Sequence, residues 1–164
     1  MAKIRRPRAG KGPVRLANPL PAVSKPPYQI NFTDAAKEVY LDLASKSKVA
    51  ELKGDPTNAA CTTFRMVKEA IKIIIPQSPV DRKYALSGNL ANIFRIKKGR
   101  HRICWIASTQ HRVIFILFIS ESLRKDGDAN DPYRVFAKMV MTGEFDSMFD
   151  QLGITKPRLN PTIQ

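Results

Sequence analysis

Cysteine, histidine and long apolar runs are scarce in this chain of 164 residues, and each shortage closes off a class of protein. Cys61 and Cys104 are the only cysteines. Both lie in apolar stretches without CxxC spacing, which argues against a disulfide framework and for buried free thiols in a reducing, cytoplasmic setting. The only two histidines, His101 and His111, do not pair at ligand spacing either, so no metal and no organic cofactor is expected. His111 reads as a turn residue. The longest apolar run, Val113 to Ile119, holds seven residues, whereas a bilayer span takes about 20. It is a core strand, and no membrane partner is expected. Acid is missing where base is dense: residues 1–25 carry Lys3, Arg5, Arg6, Arg8, Lys11, Arg15 and Lys25 without one Asp or Glu.

Positive charge is what the chain has in abundance. Lys and Arg number 28 against 14 Asp and Glu, a formal net charge of +14. The default partner of so basic a chain is a polyanion, nucleic acid before membrane, although an acidic protein fits as well. The seven cations of residues 1–25 supply half of that net charge, and six of the twelve prolines fall within residues 1–27. Such a segment cannot build a core, so residues 1–26 are expected to form a flexible, extended arm that either binds RNA phosphates or keeps the chain soluble. The AGKGP stretch lacks the ending of a phosphate-binding loop. The rest, at 43% hydrophobic content overall, is long enough for one packed domain.

That domain is expected to open at Tyr28. Tyr28, Ile30 and Phe32 alternate with polar residues as in a strand, and Thr33 with Asp34 supplies an N-cap and a first-turn acid for a helix. Its inner stripe is Ala35, Ala36, Val39, Tyr40, Leu43 and Ala44. Gly54, Asp55 and Pro56 break the chain, and a second helix from about Thr57 carries Cys61, Phe64, Val67, Ile71, Ile74 and Ile75 inward until Pro76 stops it. Three strands follow, about Ile93 to Lys97, Arg102 to Ala107 and Arg112 to Ser120, joined by short turns that imply an antiparallel meander. Pro132 opens a last helix with Val135, Phe136, Met139 and Val140 on its core face. The order β-α-α-β-β-β-α describes an α+β fold: an antiparallel sheet, two N-terminal helices packed on it and a third helix after it. Residues 27–145 form the domain and 146–164 a short C-terminal extension.

The densest chemistry lies in FRIKKGRHRICW, Phe94 to Trp105, and in SLRKDGDANDPYRVFAKM, Ser122 to Met139. Six of the eight residues from Arg95 to Arg102 are cationic or can become so. A phosphodiester under attack needs such charge as its oxygens become more negative. Arg95 and Lys97 share one strand face because the side-chain period of a strand is two. Lys98, Arg100 and Lys125 are further candidates for RNA contact. The aromatic residues Phe64, Phe94, Phe115, Phe118 and Phe136, with Trp105, read as packing.

These stretches, with YQINFTDAAKEVY and RVIFILFIS, resemble the RelE/ParE superfamily of bacterial toxins. The segment Leu123 to Met139 is similar to the YhaV family. The wider resemblance covers about Tyr28 to Glu144, the closer one mainly Phe94 to Glu144, and the arm lies outside both. It implies a type II toxin restrained by a cognate antitoxin. It further implies a metal-independent endoribonuclease, an mRNA interferase, that cleaves mRNA, commonly on the ribosome, through the 2′-hydroxyl to a 2′,3′-cyclic phosphate and a 5′-hydroxyl. Residue by residue it marks Arg95, Lys97, Arg102, Arg124 and Tyr133 as catalytic. The residue before Arg102, often aromatic in the superfamily, is here His101, a second choice for the base because imidazole titrates near neutrality.

Those residue types suit the chemistry. Guanidinium forks match phosphate oxygens. Arg102 and Arg124 are assigned to transition-state charge and Arg95 to phosphate positioning; Lys97 acts as positioned charge or base, and Tyr133 stacks on a nucleobase or moves a proton. Two other classes remain open at this stage: a ParE-like toxin that inhibits gyrase without nuclease chemistry, and a non-catalytic basic RNA- or ribosome-binding module.

Overall fold

The computed structural model describes residues 27–120 and 132–157, with Pro132 and Tyr133 described by their backbone alone. Strand β1, Gln29–Phe32, leads at once into helix α1, Asp34–Leu52. Thr33 is the N-cap as its sequence position predicts: its hydroxyl accepts the Ala36 N–H at 3.1 Å, satisfying one orphan donor of the first turn. Ala36 and Leu43 of the expected stripe are buried, and the same face continues through Ser47 and Ala50. Ala35 is exposed instead.

Helix α2 spans Ala59–Glu69, capped by the Asn58 side chain on the Ala60 N–H at 2.9 Å. It runs on through a π turn, Ala70–Ile74, into a short helix α3, Ile75–Gln77. The helical run thus ends at Gln77, one residue beyond the stop at Pro76 that the sequence suggests. The π turn hands the Ile75 N–H to the Ala70 carbonyl. Pro76 then falls in the first turn of α3, where a missing N–H costs little. Two 3₁₀ turns, Arg82–Tyr84 and Gly88–Leu90, then bring the chain back along the sheet edge.

Strands β2, Phe94–Lys98, β3, His101–Ser108, and β4, Val113–Ile119, form the expected antiparallel meander. The first turn is Gly99–Arg100, one residue later than the sequence suggests, and Gly99 takes φ +58°, the left-handed value that its place in a tight hairpin requires. Strand β1 joins β4 in parallel, so the sheet order is β1-β4-β3-β2 and the sheet as a whole is mixed. That pairing follows from the two helices intervening between β1 and the meander, since parallel neighbours need a long crossover.

Both faces of the sheet are covered. On one, Ala36 and Leu43 of α1 and Val67 of α2 pack against Ile96, Ile103, Trp105, Ile114, Ile116 and Ile119. On the other, helix α4, Pro132–Met141, and helix α5, Asp146–Leu152, bring Phe136, Val140, Phe145, Phe149 and Leu152 onto Cys104, Ile106 and Leu117. Each fully buried Val, Ile, Leu or Phe among them contributes about 1.5–3 kcal/mol by leaving water. This double cover explains why β4 is apolar on both sides. The segment from residue 146, read from sequence as a short extension, thus holds a helix whose Phe149 is 1% exposed and belongs to the core. Trp105 is fully buried, its indole N–H donating to the Pro79 carbonyl at 2.8 Å. Among the described residues no helix is long and apolar enough to cross a membrane.

Candidate functional site

Strand pairing brings the basic residues together before any side-chain detail is considered. Lys97 stands opposite Arg102, and Arg95 opposite Cys104. Directly opposed residues of an antiparallel pair have Cβ atoms about 5 Å apart. Alternation then divides the hairpin between the two faces. Phe94, Ile96 and Ile103 enter the layer under α1 and α2. Arg95, Lys97, Arg102 and Cys104 project to the other face, the one that carries α4 and α5. Three of the five residues marked catalytic thus form a cationic row near one end of the sheet.

The row is graded in exposure. Arg95 and Arg102 are half-buried at the level of the core, whereas Lys97 is exposed farther out. Among the described residues Lys97, Lys98 and Arg100 make no ion pair with a carboxylate. Lys97 and Arg100 are exposed and Lys98 is half-buried. Beneath the row, burial pushes the Cys104 thiol up to about 12, while Arg95 and Arg102 pull it back only in part. Cys104 stays a neutral thiol at physiological pH, packing rather than reacting. Both cysteines are free and buried, as expected.

His101 falls on the opposite face. It is paired with Lys98, one step out of phase with the Lys97–Arg102 pair. It lines a half-open pocket of about 310 Å³ with Val39, Asp42, Leu43 and Lys46 of α1 and Ala59, Ala60 and Thr63 of α2. The strand period that unites Arg95, Lys97 and Arg102 is what separates His101 and Lys98 from them. Arg100 sits exposed in the turn between the two groups. His111 is an exposed turn residue whose N–H donates to Ser108 Oγ at 3.1 Å.

Arg124 and Lys125 lie outside the described residues, and Tyr133 is placed by its backbone in the first turn of α4. One turn farther along that helix, Phe136 packs on Phe118 of β4 with ring centroids 5.4 Å apart. Phe118 is the register partner of Cys104. Helix α4 is therefore anchored on the face that bears the arginines. Among the described residues no cluster of His, Cys, Asp and Glu is placed to hold a metal ion.

Sequence reading missed one residue of this neighbourhood, Ser120. Its Oγ accepts the Arg102 N–H at 2.8 Å, and its own N–H donates to the Arg102 carbonyl at 2.9 Å. A polar residue closing an otherwise apolar strand was the available signal.

A half-buried guanidinium pair with an exposed ammonium beside it can grip a phosphodiester and take up charge on its oxygens. No curated protein sequence matches the chain. Among solved structures it is similar to the RelBE2 toxin–antitoxin complex of Mycobacterium tuberculosis, at 19% identity over 58% of this chain and 91% of that one, TM-score 0.41. It is also similar to the isolated E. coli RelE toxin, at 16% identity over 70% of this chain and 99% of that one, TM-score 0.44. A YoeB/ParE toxin from Agrobacterium tumefaciens gives 11% identity over 59% of this chain and 99% of that one, TM-score 0.43. The model of one family, described as toxins with endonuclease activity of a toxin–antitoxin system, matches residues 30–156, from β1 to beyond α5. The chain belongs to that family, the YhaV toxins.

Proposed function

We propose that the protein is an mRNA endoribonuclease that works without a metal, commonly on the ribosome, and is silenced by a cognate antitoxin. The observation that carries this reading is the convergence of Arg95, Lys97 and Arg102 on one sheet face.

In the proposed reaction the 2′-oxygen forms a bond to phosphorus as its proton leaves for a base. The bond from phosphorus to the 5′-oxygen breaks, and that oxygen gains a proton. Products are a 2′,3′-cyclic phosphate and a 5′-hydroxyl. Arg102 and Arg124 take up the charge that builds on the phosphorane, and Arg95 positions the phosphate. With His101 on the far face, Lys97 and Tyr133 are the groups left for proton transfer and for contact with the nucleobase. Arg100 and Lys125 extend the phosphate-binding surface, whereas Lys98, paired with His101, lies on the other face. The family's endonuclease description favours this reading over gyrase inhibition.

Purified protein tests the chemistry directly. In EDTA it is expected to cleave RNA and leave cyclic phosphate ends, and a single 2′-deoxy substitution at a cleaved position should abolish cleavage there. Activity lost on chelation and restored by magnesium would require a metal mechanism. Binding without any cleavage, with ribosomes added as well as without, would make the protein the non-catalytic RNA module.

A further inference from the structure

Ser120 ends strand β4 and is 1% exposed, an unusual place for a hydroxyl. The last ladder pair between β3 and β4 is Ile103 with Ile119. Arg102, one residue beyond it, keeps only one of its two backbone ladder bonds on that side, the one from the Ser120 N–H. Ser120 replaces what is missing. Its hydroxyl accepts the Arg102 N–H at 2.8 Å, and its amide donates to the Arg102 carbonyl at 2.9 Å.

Strand alternation alone would not put Ser120 there. In the first half of β4, Ile114 and Ile116 face α1 and α2 while Val113 and Phe115 face the second core. Unbroken alternation would turn residue 120 toward α1 and α2. The register shifts between Cys104 and Trp105, whose partners are Phe118 and Ile116, so Leu117 is an extra residue on β4. After it Ile119 faces the first core and Phe118 the second, and Ser120 arrives on the face of Arg102. The bulge is itself pinned: the Thr33 hydroxyl donates to the Leu117 carbonyl at 2.8 Å. Thr33, N-cap of α1, thereby fixes the phase of the strand that ends at the site.

We propose that Ser120 is a positioning residue for RNA cleavage: its hydroxyl holds the main chain of Arg102 where the guanidinium meets the scissile phosphate. The inference rests on the proposed RNA-cleaving site. Misplacing a charge-stabilising group by about 1 Å can cost roughly 10²-fold in rate even when the altered residue touches no substrate.

The test sets Ser120→Ala beside Ser108→Ala. Ser108 is 7% exposed and also accepts a backbone N–H, that of His111 at 3.1 Å, but at the far end of the same strand pair. Both variants remove a buried hydroxyl acceptor, and both should melt earlier. Ser120→Ala alone should slow single-turnover cleavage at saturating enzyme, by roughly 10- to 100-fold, with RNA affinity unchanged. Ser120→Thr, which keeps the hydroxyl, should restore most of the rate and serves as the folded comparison should the alanine variant not be soluble. Equal rates for Ser120→Ala and Ser108→Ala, or a folded Ser120→Thr protein that is as slow as Arg102→Ala, would overturn the inference. Arg102→Ala run in parallel separates the two levels. If it cleaves normally, the site itself is wrong; if it is impaired while Ser120→Ala is normal, only the role of Ser120 falls.

Discussion

Arg102→Ala is expected to cleave RNA about 10²-fold more slowly than the parent, or worse, the scale of losing one preorganised charge-stabilising donor. Arg124→Ala should do the same. Arg102 lies half-buried beside Lys97 on the face that carries α4 and α5, and what holds its strand in place is main chain: its N–H and carbonyl are both engaged by Ser120. Truncating the side chain leaves those bonds intact. Loss of the half-buried stem should cost about 1 kcal/mol, the size of a typical substitution, and leave the protein folded. Single-turnover rates with melting curves on the same samples decide the matter. Two folded variants with near-normal cleavage would reduce these arginines to surface charge.

Deleting residues 1–25 should have a different signature, a large loss of salt-dependent RNA affinity with the chemical step untouched. The first described residues place the root of the arm. Tyr28 lies under the Arg112 guanidinium, 3.8 Å from its ring centroid, and Gln29 pairs with Val113 at the start of β4. The arginine row sits beside the other end of that strand. Seven residues of β4 at about 3.3 Å each put the root roughly 20 Å from Arg102. The seven cations of residues 1–25 are expected to add phosphate contacts to an RNA footprint rather than a group to the reaction. Each phosphate neutralised on a single strand contributes about 0.7 to the slope of log affinity against log salt, so three or four contacts predict a slope smaller by roughly 2 to 3 units. An unchanged slope would make the arm a spacer or solubility tail. A lost rate at saturating enzyme would make it part of the active site.

Much of this arrangement was legible in the sequence because it follows from short-range periodicity. The period of two in Arg95, Ile96 and Lys97 predicted which cations share a face, and the apolar run Val113–Ile119 predicted a strand covered on both sides. Thr33 announced α1. The misses have physical causes too. Helix α5 has no side-chain cap at Phe145 and only seven residues, although Phe145, Phe149 and Leu152 recur at helical spacing. The π turn Ala70–Ile74 that precedes the helix end leaves no compositional mark. The bulge at Leu117 is set by the Thr33 hydroxyl, 84 residues away in the chain, so no local pattern reveals it. For the same reason the faces of Ser120 and Phe118 were hidden. His101 was the opposite case: its residue type suggested a base, but its register with Lys98 turns it to the other side.

Mapping RNA ends after expressing the full-length protein in cells that lack its antitoxin tests the central claim most directly. Growth should stop, and mRNA should accumulate internal breaks ending in 2′,3′-cyclic phosphate and beginning in 5′-hydroxyl, with Arg102→Ala restoring both growth and intact message. Normal growth and intact mRNA in the presence of soluble, folded protein would contradict the account.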